Sequence, residues 1–324
     1  MQTLVVASLA VPAIAAIGLA TAIAFGGPAR LPPMQSVSDP FKSVDFSGLP
    51  PAERYAARDG TQLAYRAYAQ SNGGNNGSVV LIHGSSSRSN SMHAIAEGFA
   101  AKGYVTYVLD IRGHGESGEK GQIGYVGQLE DDIEDFVRAC KPLGKKVLVG
   151  FSAGGGFALR FAADARRSLF DGYVLLAPFL SQSANTYRPA SGGWASVGVP
   201  RILGLLALNR LGVSGLNYLP VTSYSLTPEA AKFLTPRYSY ALAVNFRPHN
   251  DYKADIASAN LPMEVLVGEN DDQFYADRFA AEFRSSSRPI PVSIVPSTGH
   301  MELTLTPAAI DAAVQAVARM SRVV

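Results

Sequence analysis

The sequence predicts an α/β fold, a mostly parallel sheet flanked by helices. Three observations carry this. Short apolar segments at residues 78–82 (SVVLI), 146–151 (KVLVGF) and 263–268 (MEVLVG) have the length and composition of strands buried on both faces. Stretches of helical periodicity alternate with them. With 324 residues, 47% hydrophobic and 17% charged, the chain can bury a sizeable core and is a poor candidate for long disorder.

The N-terminus is of another kind. No charged residue occurs in 1–29, and residues 4–25 form an almost wholly apolar run. A bilayer-spanning helix needs about 20 such residues. The expectation for 1–29 is therefore a membrane anchor. A secretory signal is the alternative, with small residues at Ala20, Ala22 and Ala24 as cleavage sites. The missing Lys or Arg ahead of the run, and its length, favour the anchor. Arg30 is too thin a charge bias to set its orientation.

Residues 30–51, rich in Pro and Ser, read as a linker. Strands are then expected at 62–69, which alternates in polarity, at 78–82 after the turn SNGGNNG (71–77), and at 104–111, 146–151, 171–176, 263–268 and 291–295. Helices are expected at 92–102, 129–140, 154–163 and 307–320. The rhythm breaks between 179 and 258. That stretch carries Tyr187, Trp194, an apolar run at 199–211, Phe233, Tyr238, Tyr240 and Phe246. So many apolar groups need a surface to cover, so this segment is expected to be a mostly helical cap. The core is then 52–178 together with 259–324.

In such sheets, chemistry sits beyond the carboxyl ends of the strands. Gly150-Phe151-Ser152-Ala153-Gly154 fits G-x-S-x-G between a strand and a helix. A serine on that sharp turn stands clear of the backbone, and the glycines leave room where a Cβ would collide. The helix start aims N–H groups at the same spot. A hydroxyl needs a base to become nucleophilic. Of five histidines, His300 alone follows the last strand directly and precedes the last helix; His83, His93, His114 and His249 lie elsewhere. The orienting acid is expected in GEND after the strand at 263–268: Asp271, with Asp272 and Glu269 as rivals. Backbone N–H groups of Ala153 and of Ser85, in the turn after 78–82, are placed to stabilise an oxyanion.

Other classes are disfavoured. A net charge of +2 provides no field for nucleic acid. A lone cysteine, Cys140, excludes an intrachain disulfide and a Cys-rich zinc site. Gly113-His114-Gly115-Glu116-Ser117-Gly118 matches G-x-G-x-x-G after a strand, but no helix follows to put a dipole behind a phosphate, so a tight turn is the better reading.

Four pieces together, LIHGSSS (81–87), LDIRGHGES (109–117), GFSAGGG (150–156) and GEND with TGH (268–271, 298–300), resemble the α/β-hydrolase superfamily. Within it the D-x-R-G-x-G-x-S turn is similar to the group of lysophospholipases, monoacylglycerol lipases and S33 serine peptidases. The resemblance implies the α/β-hydrolase fold with an inserted lid, Ser152 as nucleophile, Asp271 as acid, His300 as base and Ser85 and Ala153 as oxyanion amides. Phe151 and Ala153 depart from the group's common G-H-S-M-G-G. The function expected is hydrolysis of a lipophilic ester, of monoacylglycerol or lysophospholipid type, without metal or organic cofactor. A peptidase of the S33 kind, or a catalytically silent binding protein of this fold, is the alternative.

Overall fold

The computed structural model describes residues 2–34, 39–70, 76–189, 193–286 and 288–322; the side chains of 2–13, 39–40 and 321–322 lie outside the description. After helix α1 (Gln2–Phe25) the chain enters the sheet through β1 (Glu53–Ala56), β2 (Gln62–Tyr68) and β3 (Ser78–Ile82). It continues through α2 (His93–Ala101), β4 (Val105–Leu109), α3 (Gln128–Cys140), β5 (Lys146–Phe151), α4 (Ala153–Ala163) and β6 (Gly172–Leu176). An insertion follows, with β7 (Ala195–Val197), α5 (Val199–Arg210), β8 (Pro220–Tyr224), α6 (Pro228–Phe233), β9 (Arg237–Ser239), α7 (Tyr240–Asn245) and α8 (Tyr252–Ser258). The core closes with β10 (Met263–Gly268), α9 (Phe279–Glu282), β11 (Val292–Val295) and α10 (Pro307–Arg322).

The main sheet has eight strands in the order β1-β2-β4-β3-β5-β6-β10-β11. Only the β1–β2 and β2–β4 pairings are antiparallel. Strands β3, β6 and β10 are buried along their whole length, as their apolar runs predict. Helices α2 and α10 pack together on one face; α3 and α4 with α8 cover the other. The short edge strand β1 escaped the sequence reading, because ERYA buries only Tyr55 and shows no sustained alternation. The turn expected at 71–77 lies mostly outside the described residues.

The charge-rich helix α3 does not face water with all its acids. Glu130, Asp132 and Asp135 are buried and meet arginines: Arg160 on α4, Arg112 after β4 and Arg58 after β1. Arg112 grips Asp132 bidentately at 2.8 and 2.7 Å. These pairs fix α3 and the β4 turn relative to the sheet.

Helices make up most of the cap's regular structure, and it also holds a sheet that the sequence does not predict. Strands β7, β8 and β9 form a three-stranded antiparallel sheet, too short for periodicity to announce. The chain just after α1 is tied to the cap. The Ser196 hydroxyl accepts from Ala29 N–H at 3.0 Å, the Ser223 hydroxyl donates to the Ala29 carbonyl at 2.6 Å, and the Ser225 hydroxyl donates to the Pro32 carbonyl. Helix α1 lies against α5, where Gly204 permits close approach: a Cβ there would sit 2.7 Å from the Ile23 side chain. Arg201 of α5 donates to the carbonyls of Ile23 (2.7 Å), Ala24 (2.9 Å) and Pro220 (2.8 Å). A cation at a helix C-terminus satisfies orphan carbonyls and opposes the dipole. Among the described residues no helix is long and apolar enough to cross a membrane. The first part of the expected span, the side chains of 4–13, lies outside them.

Replacing Arg201 by Ala removes the clamp between α1 and the cap. A loss on the order of 1–3 kcal/mol is expected, together with faster proteolysis within residues 26–34. Unchanged melting and cleavage would show that the clamp is idle.

Candidate active site

The strands that end at the crevice deliver the chemistry. At the end of β5, Ser152 adopts φ 55° and ψ −117°, a region few non-glycine residues visit. Neighbouring backbone holds it there. Ser152 N–H donates to the Leu176 carbonyl at 2.9 Å, and its own carbonyl accepts from Gly156 (3.0 Å) and Phe179 (2.9 Å). The flanking glycines are sterically required: a Cβ on Gly150 would lie 2.2 Å from the Gly154 carbonyl oxygen, and one on Gly154 would lie 2.4 Å from the His83 carbonyl oxygen.

Beyond β10, the Asp271 carboxylate is buried and fully occupied. Its Oδ1 accepts the backbone N–H groups of Gln273 and Phe274, both at 2.8 Å, and its Oδ2 accepts His300 Nδ1–H at 2.8 Å. The rivals go elsewhere. Glu269 accepts from Ser297 N–H at 2.8 Å, and Asp272 is exposed. With Nδ1 protonated toward Asp271, Nε2 of His300 is the basic nitrogen. The ring meets Phe151, tilted, and Phe274, edge-on, with centroids 4.8 and 5.2 Å away. Phe151, the departure from the family pattern, thus packs on the imidazole.

Ser152 and His300 line one cavity of about 900 Å³. No hydrogen bond joins them among the described residues; such bonds are commonly long until substrate is present. Ser85 and Ala153 line the same cavity, and neither backbone N–H donates to a protein acceptor among the described residues. Two residues whose amides have no protein acceptor among the described residues thus line the cavity that Ser152 lines, one of them at the start of α4. The remaining wall is largely apolar, with Phe179, Trp194, Ile202, Val221, Phe246 and Phe274 contributed by both cap and core. Among the described residues no group of three or more His, Cys, Asp or Glu is arranged to hold a metal ion.

Of the five histidines only His300 reaches the cavity. His93 meets the Tyr68 hydroxyl, and His249 pairs with Asp255. His83 and His114 are fully buried, their rings 4.9 Å apart. His83 Nδ1 donates to the Gly84 carbonyl and Nε2 accepts Ile111 N–H. The glycine-rich segment at 113–118 is a tight turn closed by Gly113 N–H on the Ser117 carbonyl at 2.7 Å, and no helix starts from it.

The family model of serine aminopeptidases, S33, matches residues 73–273. The chain belongs to that family. It has the α/β-hydrolase fold and is a hydrolase. Over 93 residues it is 34% identical to a monoacylglycerol lipase of Mycolicibacterium smegmatis, an alignment spanning 27% of this chain and 32% of that protein. A soluble variant of monoglyceride lipase from Saccharomyces cerevisiae superposes with a TM-score of 0.63 at 18% identity, covering 84% of this chain and 95% of the other. A membrane phospholipase A superposes with a TM-score of 0.56 at 17% identity, over 98% of this chain and 99% of its own. At such identities the superpositions speak for fold alone.

Burial lowers the pKa of both His83 and His114, and the two rings also disfavour each other's charge at His114. In the unfolded chain both titrate near 6.5. As pH falls below that value the unfolded state takes up protons the folded state refuses, so their contribution to stability is lost on acidification. His114→Gln removes one such site. Its stability should fall less steeply than wild type between pH 6.5 and 5, by up to about 1.4 kcal/mol per pH unit, as read by urea unfolding at several pH values. Parallel pH profiles would exclude this account.

Proposed function

We propose that this protein is a serine hydrolase of lipophilic carboxylic esters. The observation that carries the reading is the Asp271–His300 hydrogen bond of 2.8 Å, in a largely apolar cavity shared with a serine on a strained strand-to-helix turn. His300 Nε2 takes the Ser152 proton as the oxygen attacks the ester carbonyl. The Ser85 and Ala153 N–H groups receive the oxyanion. The bond to the leaving alcohol breaks as His300 returns the proton to it, and an acyl-enzyme remains. Water then repeats the cycle with His300 as base and releases the acid. Asp271 orients the ring and stabilises its charged form.

Charge in the cavity supports an ester over a peptide amino terminus. The cap acids Glu229 and Asp251 do not line it; one pairs with Lys232, the other caps α8. Two cations do line it. Arg88 lies over the Phe233 ring, and Arg247 donates to Asn250 while its Nε is buried without an acceptor. Neither forms an ion pair among the described residues, and burial lowers the pKa of both. Desolvated guanidiniums outside any ion pair, Arg88 feeling Asp110 and Glu116 only through space, favour an ester carrying an anion, the lysophospholipid type, over neutral monoacylglycerol. The lining acids, exposed Asp272 and half-buried Glu302, flank the catalytic acid and base in sequence.

The test combines labelling with turnover. A fluorophosphonate should label the wild type and not Ser152→Ala, whose kcat should drop by roughly 10⁴-fold or more. Lysophosphatidylglycerol should exceed a monoacylglycerol of equal chain length in kcat/KM, with aminoacyl amides far behind. Turnover of amides alone would move the protein to the peptidase reading. Absent labelling would favour the silent binding protein.

We also infer membrane attachment through residues 4–25. Its support is the uncharged stretch 1–29 and the exposed Ile14, Ile17 and Phe25 on α1. The full chain should remain with membranes after an alkaline carbonate wash; release into the supernatant would refute attachment by an apolar helix.

A further inference from the structure

The loop that carries Ser85 does not hold its own shape. Between Gly84 and Ser87 its one internal backbone hydrogen bond is Ser87 N–H to the Gly84 carbonyl, long at 3.4 Å. Ser86 stands at φ 64°, where a serine is strained. Its polar groups are instead taken up by the cap. The Ser86 hydroxyl donates to the Thr235 carbonyl at 2.7 Å, and the Ser86 carbonyl accepts Thr235 N–H at 2.8 Å. Ser86 N–H donates to the Tyr238 hydroxyl. That hydroxyl lies 2.6 Å from His114 Nε2.

The protons in this chain can be ordered. His114 Nδ1 lies 3.2 and 3.3 Å from the carbonyls of Ile111 and Arg112, both acceptors, so Nδ1 carries the hydrogen. Nε2 is then an acceptor and Tyr238 O–H donates to it. The phenol oxygen is left to accept Ser86 N–H. Tyr238, His114 and Ser86 are all buried, and the phenol oxygen also meets the side chains of Tyr224 and of Ser85 itself, so it joins His114 to the oxyanion loop at two residues. The same glycine-rich turn holds the cap once more, where Thr235 Oγ donates to the Gly113 carbonyl at 3.0 Å.

We propose that Tyr238 is a positioning residue for the oxyanion loop, held in register by His114, so that the cap and the glycine-rich turn together set the direction of Ser85 N–H. The proposal rests on the serine-hydrolase reading above. It gives the 113–118 turn a role, that of anchoring a cap residue against the loop instead of cradling a phosphate. The cap is then part of the catalytic assembly and not a removable cover. Tyr238→Phe takes from Ser86 N–H and His114 Nε2 the hydroxyl that joins them, and Ser86 loses one of the restraints that keep it at positive φ.

The experiment uses the full chain and four variants: Tyr238→Phe, His114→Leu, His114→Gln and Ser152→Ala as the inactive control. With an ester substrate, Tyr238→Phe and His114→Leu should lower kcat about 10- to 100-fold, below the full cost of deleting an oxyanion donor. KM should stay within about threefold, because the oxyanion forms only after binding. The Ki of an alkyl trifluoromethyl ketone, whose adduct carries the oxyanion, should rise by the same factor as kcat falls. His114→Gln keeps an acceptor for the phenol and should restore kcat most of the way. Hydrogen–deuterium exchange of the peptide 83–88 should quicken in Tyr238→Phe and stay slow in His114→Gln. If Tyr238→Phe leaves kcat and Ki unaltered, or if the whole effect falls on KM, the proposal is wrong. Should wild type hydrolyse no ester, the serine-hydrolase reading fails by itself; exchange at 83–88 still decides whether Tyr238 holds the loop, and unaltered exchange overturns that as well. Should Tyr238→Phe not fold, the contrast between His114→Leu and His114→Gln decides the matter in its place.

Discussion

Ser152 sits in a backbone conformation that costs on the order of 1–3 kcal/mol for a residue with a Cβ, and the candidate site depends on that cost being met elsewhere. It is met locally and densely. Hydrogen bonds with Leu176, Gly156 and Phe179 fasten the turn, and glycines at 150 and 154 let strand, helix and the His83 backbone close to within contact. Around it, Val147, Leu148, Val149, Phe157 and Phe161 are buried and keep β5 and α4 from relaxing. A strained turn in the middle of a parallel sheet is overdetermined in a way that one on a loop would not be. This is the physical reason the turn can hold the Ser152 hydroxyl clear of the backbone.

Charge is distributed with a similar division of labour. The arginines that hold the scaffold, Arg58, Arg112 and Arg160, each meet a carboxylate of α3. Their burial is tolerable because the partner is buried with them. Arg88 and Arg247, at the cavity, have no such partner among the described residues. The same residue type thus serves structure where it is paired and, on the proposed function, recognition where it is not. The cap belongs to this arrangement through three connections: Arg201 to the end of α1, the serines of β7 and β8 to the segment after it, and Thr235 with Tyr238 to the loop after β3.

Much of this was legible in the sequence because it depends on short-range chemistry. Buried parallel strands must be apolar throughout, so β3, β5, β6 and β10 announced themselves. A strand-to-helix elbow must have glycine on both sides of its serine, so Ser152 stood out. The choice among Glu269, Asp271 and Asp272 was harder, since all three follow β10 within four residues. Only the turn geometry, with Asp271 Oδ1 accepting two backbone amides, aims its carboxylate at His300. The cap's three short strands and the edge strand β1 left no periodic trace, because three to five half-exposed residues hold too few alternations.

By itself, then, the sequence determined the class of fold, the parallel core, the glycine-flanked serine and the chain order serine, carboxylate, histidine, since each follows from what one element must contain to exist. What only the tertiary structure decided are the relations between elements far apart in the chain. Tyr238 reads as one more cap aromatic and His114 as part of a glycine turn until folding brings them together, across 124 positions, onto Ser86. A hydrogen bond across such a separation depends on where two backbones arrive, and the identities of the two residues alone do not encode that.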